Sequence, residues 1–230
     1  MYIYLWLNVF TIFFPFVLSF DKRVAFYKTW PALFPALVLN ALIFIPWDIY
    51  FTRRGIWGFN PEYLVGIYIF GLPLEEILFF ITVPYACVFI YQCLNVYFGE
   101  SIFQRHAHTF TYLLIPFLLL LAAFNLPRLY TSATAVFLVL MWFVHLKVVG
   151  NELLGKFYRA YLVHLIPFLL VNGILTAIPI VWYNNDFNLG HRIYTIPVED
   201  AWYSMLLLLL PVTAFEFFLS RRKQISTQVV

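Results

Sequence analysis

The chain has 230 residues, 63% of them hydrophobic and 11% charged. Soluble domains run at about 45–50% apolar and about 25% charged, so an ordinary globular protein is excluded. An aromatic content of 22% excludes a disordered one. The net charge of +3 comes from 14 Lys and Arg spread over short loops, which makes no nucleic-acid surface.

At about 20 residues per membrane crossing, the chain has room for about six to eight helices. Apolar runs occupy residues 2–20, 29–47, 63–99, 107–127, 129–146 and 160–185, and a last one runs from about 198 to 220. These predict an all-α, polytopic, seven-helix bundle. No basic residue precedes the first run and no small-residue cleavage site follows it, so a cleaved signal peptide is not expected. Lys22, Arg23, Lys28, Arg105, Lys147, Lys156, Arg159, Arg221, Arg222 and Lys223 fall on one side of the bundle. Arg53, Arg54, Arg128 and Arg192 fall on the other, and ten against four is a positive-inside signal. It predicts a multi-pass cell-membrane protein with its N-terminus outside and its C-terminus cytoplasmic.

The run 63–99 is too long for one crossing, because as a helix it would reach about 55 Å against a hydrocarbon core of about 30 Å. Pro73 is the natural break. Helix 3 is therefore expected to begin near Leu72, with residues 63–71 lying at the outer interface or dipping into the bundle. Cys87 and Cys93 share this run, and on a straight helix they stand about 9 Å apart, too far for a disulfide.

The sequence repeats internally. Gly71-Leu72-Pro73-Leu74-Glu75-Glu76 opens helix 3, and Thr195-Ile196-Pro197-Val198-Glu199-Asp200 opens helix 7, 124 residues later. Asn40 on helix 2 parallels Asn172 on helix 6 at a spacing of 132, which implies a shorter intervening loop in the second half. Repeat one then covers about 1–99, a connector helix about 107–127, and repeat two about 129–220. Three helices plus a connector restore the same orientation, so the repeat is parallel, with its pseudo-two-fold axis along the membrane normal.

An ionised carboxylate inside a bilayer costs at least ~2.5 kcal/mol and needs a reason. A helix N-terminus is one such reason, since the macrodipole favours negative charge there. Glu216, about one turn from Arg221 and Arg222, reads as an ion-pair partner, and Asp48, Glu62 and Asp186 as solvated or structural rim residues. Glu75-Glu76 and Glu199-Asp200 stand apart, because the same pattern occupies matching positions in both halves and runs straight into lipid-grade sequence. Adjacent helical residues point about 100° apart, so at most one acid of each pair faces the centre. Two carboxyl groups from opposite halves then flank one pocket. Burial and a neighbouring acid favour the neutral form of a carboxyl group, while the helix dipole opposes it.

Asn40 and Asn172 sit near mid-membrane, where an amide needs a partner and helix–helix glue is the default role. Phe79, Phe80 and Tyr203 lie three or four residues from an acid and so share its helix face. His145 and His164 have no companions at metal-ligand spacing. No dinucleotide fingerprint, P-loop, H-E-x-x-H or G-x-S-x-G occurs.

Pro46-Trp47-Asp48, Gly55-Ile56-Trp57-Gly58-Phe59-Asn60-Pro61 and Gly71-Leu72-Pro73-Leu74-Glu75-Glu76 with Leu78-Phe79-Phe80 together resemble the small membrane-integral lycopene cyclases. These occur as paired small subunits in some bacteria and as the cyclase domain of fungal bifunctional enzymes. Ser19-Phe20-Asp21-Lys22-Arg23 is similar too, and the second half resembles the partner subunit fused in line, without the Trp-x-Phe-Asn element. The resemblance implies conversion of lycopene ψ-ends to β-ionone rings with no net redox change and no cofactor or metal. A carboxylic acid would protonate C2 of the terminal double bond, and aromatic faces would stabilise the cation. Glu75 and Glu199 are the first choices for this chemistry, followed by Glu76 and Asp200. Asn40, Asn172, Phe79, Phe80, Trp47 and Tyr203 are expected around the substrate. The implied partners are lycopene or another linear carotenoid and the lipid bilayer, with no nucleic acid. The rival class is a non-enzymatic seven-helix carrier, sensor or ion pathway, in which the same acids would serve equally well. A retinal-type photoreceptor needs a bundle lysine that helix 7 lacks.

Overall fold

The computed structural model describes residues 2–228. Among them are seven α-helices: α1 Ile3–Leu18, α2 Trp30–Arg53, α3 Leu74–Phe98, α4 Gln104–Phe124, α5 Leu129–Val148, α6 Leu154–Ala177 and α7 Glu199–Gln228. Helices α2 to α7 each contain a segment long and apolar enough to cross a membrane, and α1 is a shorter apolar helix of 16 residues. Prolines stand inside all of them except α5, as tolerated where neighbouring helices re-satisfy the freed backbone. The core lies where α2 and α5 pack on α7 and where α1, α2 and α6 pack on α3. α4 packs mainly against α5 and α6 and exposes Tyr112, Leu113 and Phe117. Large apolar side chains facing outward in this number suit lipid rather than water.

Six short strands cap one end of the bundle: β1 Trp57–Phe59, β2 Tyr68–Ile69, β3 Leu72–Pro73, β4 Val181–Tyr183, β5 Arg192–Ile193 and β6 Ile196–Pro197. β2 pairs with β3 and β5 with β6 as tight hairpins, while β1 pairs antiparallel with β4 across the two halves. This last pairing is reciprocal, because the amide of Asn60 donates to the carbonyl of Ile180 and that of Asn184 to Ile56, each at 2.9 Å. Gly58 is required where the strands meet, since a Cβ there would collide with the Trp182 ring.

Helix 3 begins at Leu74, two residues after the expected Leu72. Pro73 is extended at φ −59°, ψ 145° and serves as the N-cap, so Leu72 and Pro73 belong to β3 and the helix starts at Leu74. The segment before it is the turn Pro61–Tyr63 followed by the β2–β3 hairpin, with Tyr68, Ile69 and Phe70 exposed.

The asparagine pairing is also corrected. α2 and α6 have the same length and stand 124 residues apart, as do β1 and β4, the turns Pro61–Tyr63 and Asn185–Phe187, and the two hairpins. The intervening loops are therefore equal. The counterpart of Asn172 is Asp48, and that of Asn40 is His164.

Candidate active site between the two halves

The hairpins set the phase of the acidic pairs. Glu75 and Glu199 point back to the loops before them: the Val65 amide donates to Glu75 Oε1 at 2.5 Å and the Leu189 amide to Glu199 Oε1 at 2.6 Å. Thr131 Oγ1 adds a second donor to Glu199 at 2.6 Å. Both side chains are fully buried, and neither lines the central cavity. One helical step further on, Glu76 and Asp200 both face a cavity of about 70 Å³ between the halves. Its walls are largely aromatic: Tyr4, Trp57, Phe79, Tyr130, Tyr183 and Tyr203.

The two facing acids are held alike on one side and differently on the other. Tyr4 from α1 donates to Glu76, and Tyr130 from α5 donates to Asp200. Asp200 accepts two further bonds, from Asn172 Nδ2 at 2.6 Å and from Tyr183 Oη at 3.0 Å. Tyr183 lies in β4, and its burial, together with the Asp200 charge, holds its hydroxyl well above the usual tyrosine range. It therefore remains a donor. On the Glu76 side the place of Asn172 is taken by a carboxylate, Asp48, which is 0% exposed. Asp48 Oδ1 accepts from Trp57 Nε1 at 2.5 Å and from Thr52 Oγ1 at 3.3 Å, while Oδ2 has no partner.

Of the expected substrate contacts, Asn172, Phe79 and Tyr203 line the cavity. Asn40, Trp47 and Phe80 do not. Asn40 Nδ2 donates to the Phe80 carbonyl at 3.1 Å, tying α2 to α3. Phe80 stacks on Phe44 at 5.8 Å, and Trp47 stands 6.2 Å from Tyr203, so these rings back the wall without forming it. Glu62 and Asp186 are exposed, and Glu216 accepts from Tyr91 Oη at 2.8 Å at the other end of the bundle. Asp48 is buried and not solvated, and its bonds to Trp57 and Thr52 agree with the structural half of its reading. Its signal was available in the constant spacing of 124, which places it opposite Asn172. Tyr4, Trp57, Tyr130 and Tyr183 were missed because Tyr and Trp near span ends resemble interfacial belt residues. Among the described residues no three His, Cys, Asp or Glu side chains could hold a metal ion.

A bundle of membrane-length helices with two buried carboxyl groups facing across an aromatic cavity defines a membrane protein with an internal acid site. The Lycopene cyclase family matches residues 1–94 and 127–218, which is most of the chain and omits the connector helix. The protein belongs to the lycopene cyclase family. Among its relatives are bifunctional lycopene cyclase/phytoene synthases. That of Podospora anserina is 34% identical over 59 residues, 26% of this chain and 10% of the relative. That of Neurospora crassa is 35% identical over 51 residues, 22% and 8%, and that of Aspergillus oryzae 30% over 66, 29% and 11%. The matched stretches thus span about a tenth of the length of these relatives. No solved structure matches the chain.

Proposed function

We propose that the protein is a lycopene β-cyclase of carotenoid biosynthesis, acting by proton transfer between Glu76 and Asp200. The observation that carries this reading is the pair of carboxyl groups facing one aromatic cavity in a chain of this family. A protonated carboxyl group delivers its proton to C2 of the lycopene ψ-end, leaving a tertiary cation at C1. The C5=C6 bond attacks C1 and closes the ring, and loss of the C6 proton to a carboxylate gives the β-ring. One proton enters and one leaves, so the step is an isomerisation that needs no electron donor. Hydrogen-bond counting supports one distribution of the roles. Three donors converge on Asp200, which suits an ionised acceptor, whereas Glu76 receives one donor and has an oxygen left to carry a proton. Tyr203, Trp57 and Phe79 supply ring faces to the cation, at ~0.5–2 kcal/mol each.

The charge count further supports an N-terminus outside and a C-terminus in the cytoplasm of the plasma membrane, which puts the acids near the outer face. A reporter fused after Lys223 should read cytoplasmic, and one in the loop 53–60 external. The decisive test is expression in a lycopene-accumulating bacterium, where red pigment should turn orange-yellow. Persistent lycopene with normal protein levels would refute the activity.

A further inference from the structure

A cavity of about 70 Å³ is too small to hold a long hydrocarbon, since ligand pockets run at about 300–1,000 Å³. A second, apolar cleft of about 310 Å³ joins it. The cleft runs between α1, α3 and α6, and it shares Phe79, Val83, His164, Phe168 and Asn172 with the central cavity. On α3 it continues from Phe79 to Ile90, about 16 Å of helix axis. Its mouth is formed by Phe10, Phe14 and Leu170, which are 63% exposed each, on faces that meet lipid.

At the pseudo-symmetric position between α5, α7 and α2, aromatic rings stand where the cleft is open. Spacings of 124 for the core helices, and of 126 between Tyr4 and Tyr130, give the counterparts. Where the cleft has Val171, the other side has Trp47; where it has Thr11, the other has Phe137; where it has Ala86, the other has Leu210. The Trp47 and Phe137 rings meet at 4.6 Å, and Tyr203 and Phe44 pack at 5.8 Å behind them. At these three positions larger side chains fill what smaller ones leave open in the cleft.

We infer that the α1–α3–α6 cleft is a lateral port through which a linear polyene enters from the bilayer, one end at a time, with its chain lying in the cleft while its end group occupies the acid cavity. This rests on the cyclase reading for the identity of the occupant. A cleft without charged side chains, open to lipid at one end and to the two acids at the other, fits an uncharged hydrocarbon rod and disfavours any polar ligand. Phe79 and Phe168 stand on both cavities and must turn aside to admit the ring-forming end. With a single port, a substrate with two acyclic ends leaves and re-enters between its two cyclisations, so the singly cyclised compound is a released intermediate.

The test is binding of lycopene to the protein in liposomes, followed by the circular dichroism induced in the bound polyene. Val171→Trp and Ala86→Leu copy the counterpart side and should weaken binding by about tenfold or more. Leu140→Trp, on the lipid face of α5 at the counterpart of Phe14, should leave it unchanged. Phe14→Cys provides a version folded before it is blocked: a bulky reversible thiol reagent at the mouth should suppress binding and reduction should restore it, beyond any effect on the parent protein. Wild-type binding in both plugged variants, or an equal loss in Leu140→Trp, overturns the port. Plug-sensitive binding of lycopene that is never cyclised keeps the port and removes the cyclase reading. Cyclisation at the full wild-type rate by both plugged variants does the reverse.

Discussion

The two halves of the acid site share a backbone and differ in chemistry. Each presents a hairpin, a buried acid latched to the preceding loop and a second acid bonded to a tyrosine from the first helix of its repeat. Beyond that, Asp200 is enclosed by an amide and a second phenol, whereas Glu76 faces the neighbourhood of another carboxylate, Asp48. The difference teaches how a duplicated scaffold acquires a direction. Two identical acids would exchange a proton without preference, and under the proposed mechanism unequal donor sets favour one as giver and the other as receiver.

The comparison breaks first at the facing acids. Glu76→Gln and Asp200→Asn keep shape and most hydrogen bonds but cannot carry the proton, so cyclisation should fall by ~10²–10⁴-fold while the protein still accumulates in the membrane. Full activity in both would end the assignment. Turnover in heavy water sharpens the proton's path: deuterium should appear at the ring carbon derived from C2, as read by mass spectrometry and NMR of the product. Label at another ring carbon in place of C2 would overturn protonation at the terminal double bond.

Removing the latches should act on stability. Glu75→Ala and Glu199→Ala leave the Val65 and Leu189 amides without their acceptor, at about 1–3 kcal/mol each. Faster proteolysis in the loops 60–71 and 184–195 should accompany a modest loss of activity. If instead Glu75→Gln and Glu199→Gln abolish turnover with the loops intact, the inner and outer acids have been assigned in the wrong order. Asp48→Asn makes the first half resemble the second and keeps an acceptor for Trp57, so substantial activity should remain. Glu216→Gln, at the far end, should be nearest to wild type in the same pigment assay.

Much of this was legible because membrane physics writes large signals. Runs of apolar sequence located each helix, although α6 spans Leu154–Ala177 and the end of its run forms β4, and the two Pro-x-acid-acid motifs supplied the two acids that face the central cavity. The choice within each pair was not legible. It depends on helix phase, and Pro73 sets that phase by ending a strand rather than starting a helix, a difference of one or two residues that turns the second acid inward. The burial of Asp48 was not legible because Trp57, which bonds it, lies in β1, whose partner β4 is more than a hundred positions away. Tyr4 and Tyr130 escaped because a phenol at a span end reads the same whether it meets a headgroup or a carboxylate.

The β1–β4 pairing has a consequence for assembly. A strand that bonds to its own counterpart through the same two atoms in both directions forms an isologous contact, the kind by which separate identical subunits recognise each other. Nothing in α4 lines the acid cavity. We propose that the connector is a tether that raises the local concentration of one half near the other and fixes their common orientation. The specificity of their meeting is written in the halves themselves, so the two repeats carry the instructions for a dimer inside a single chain.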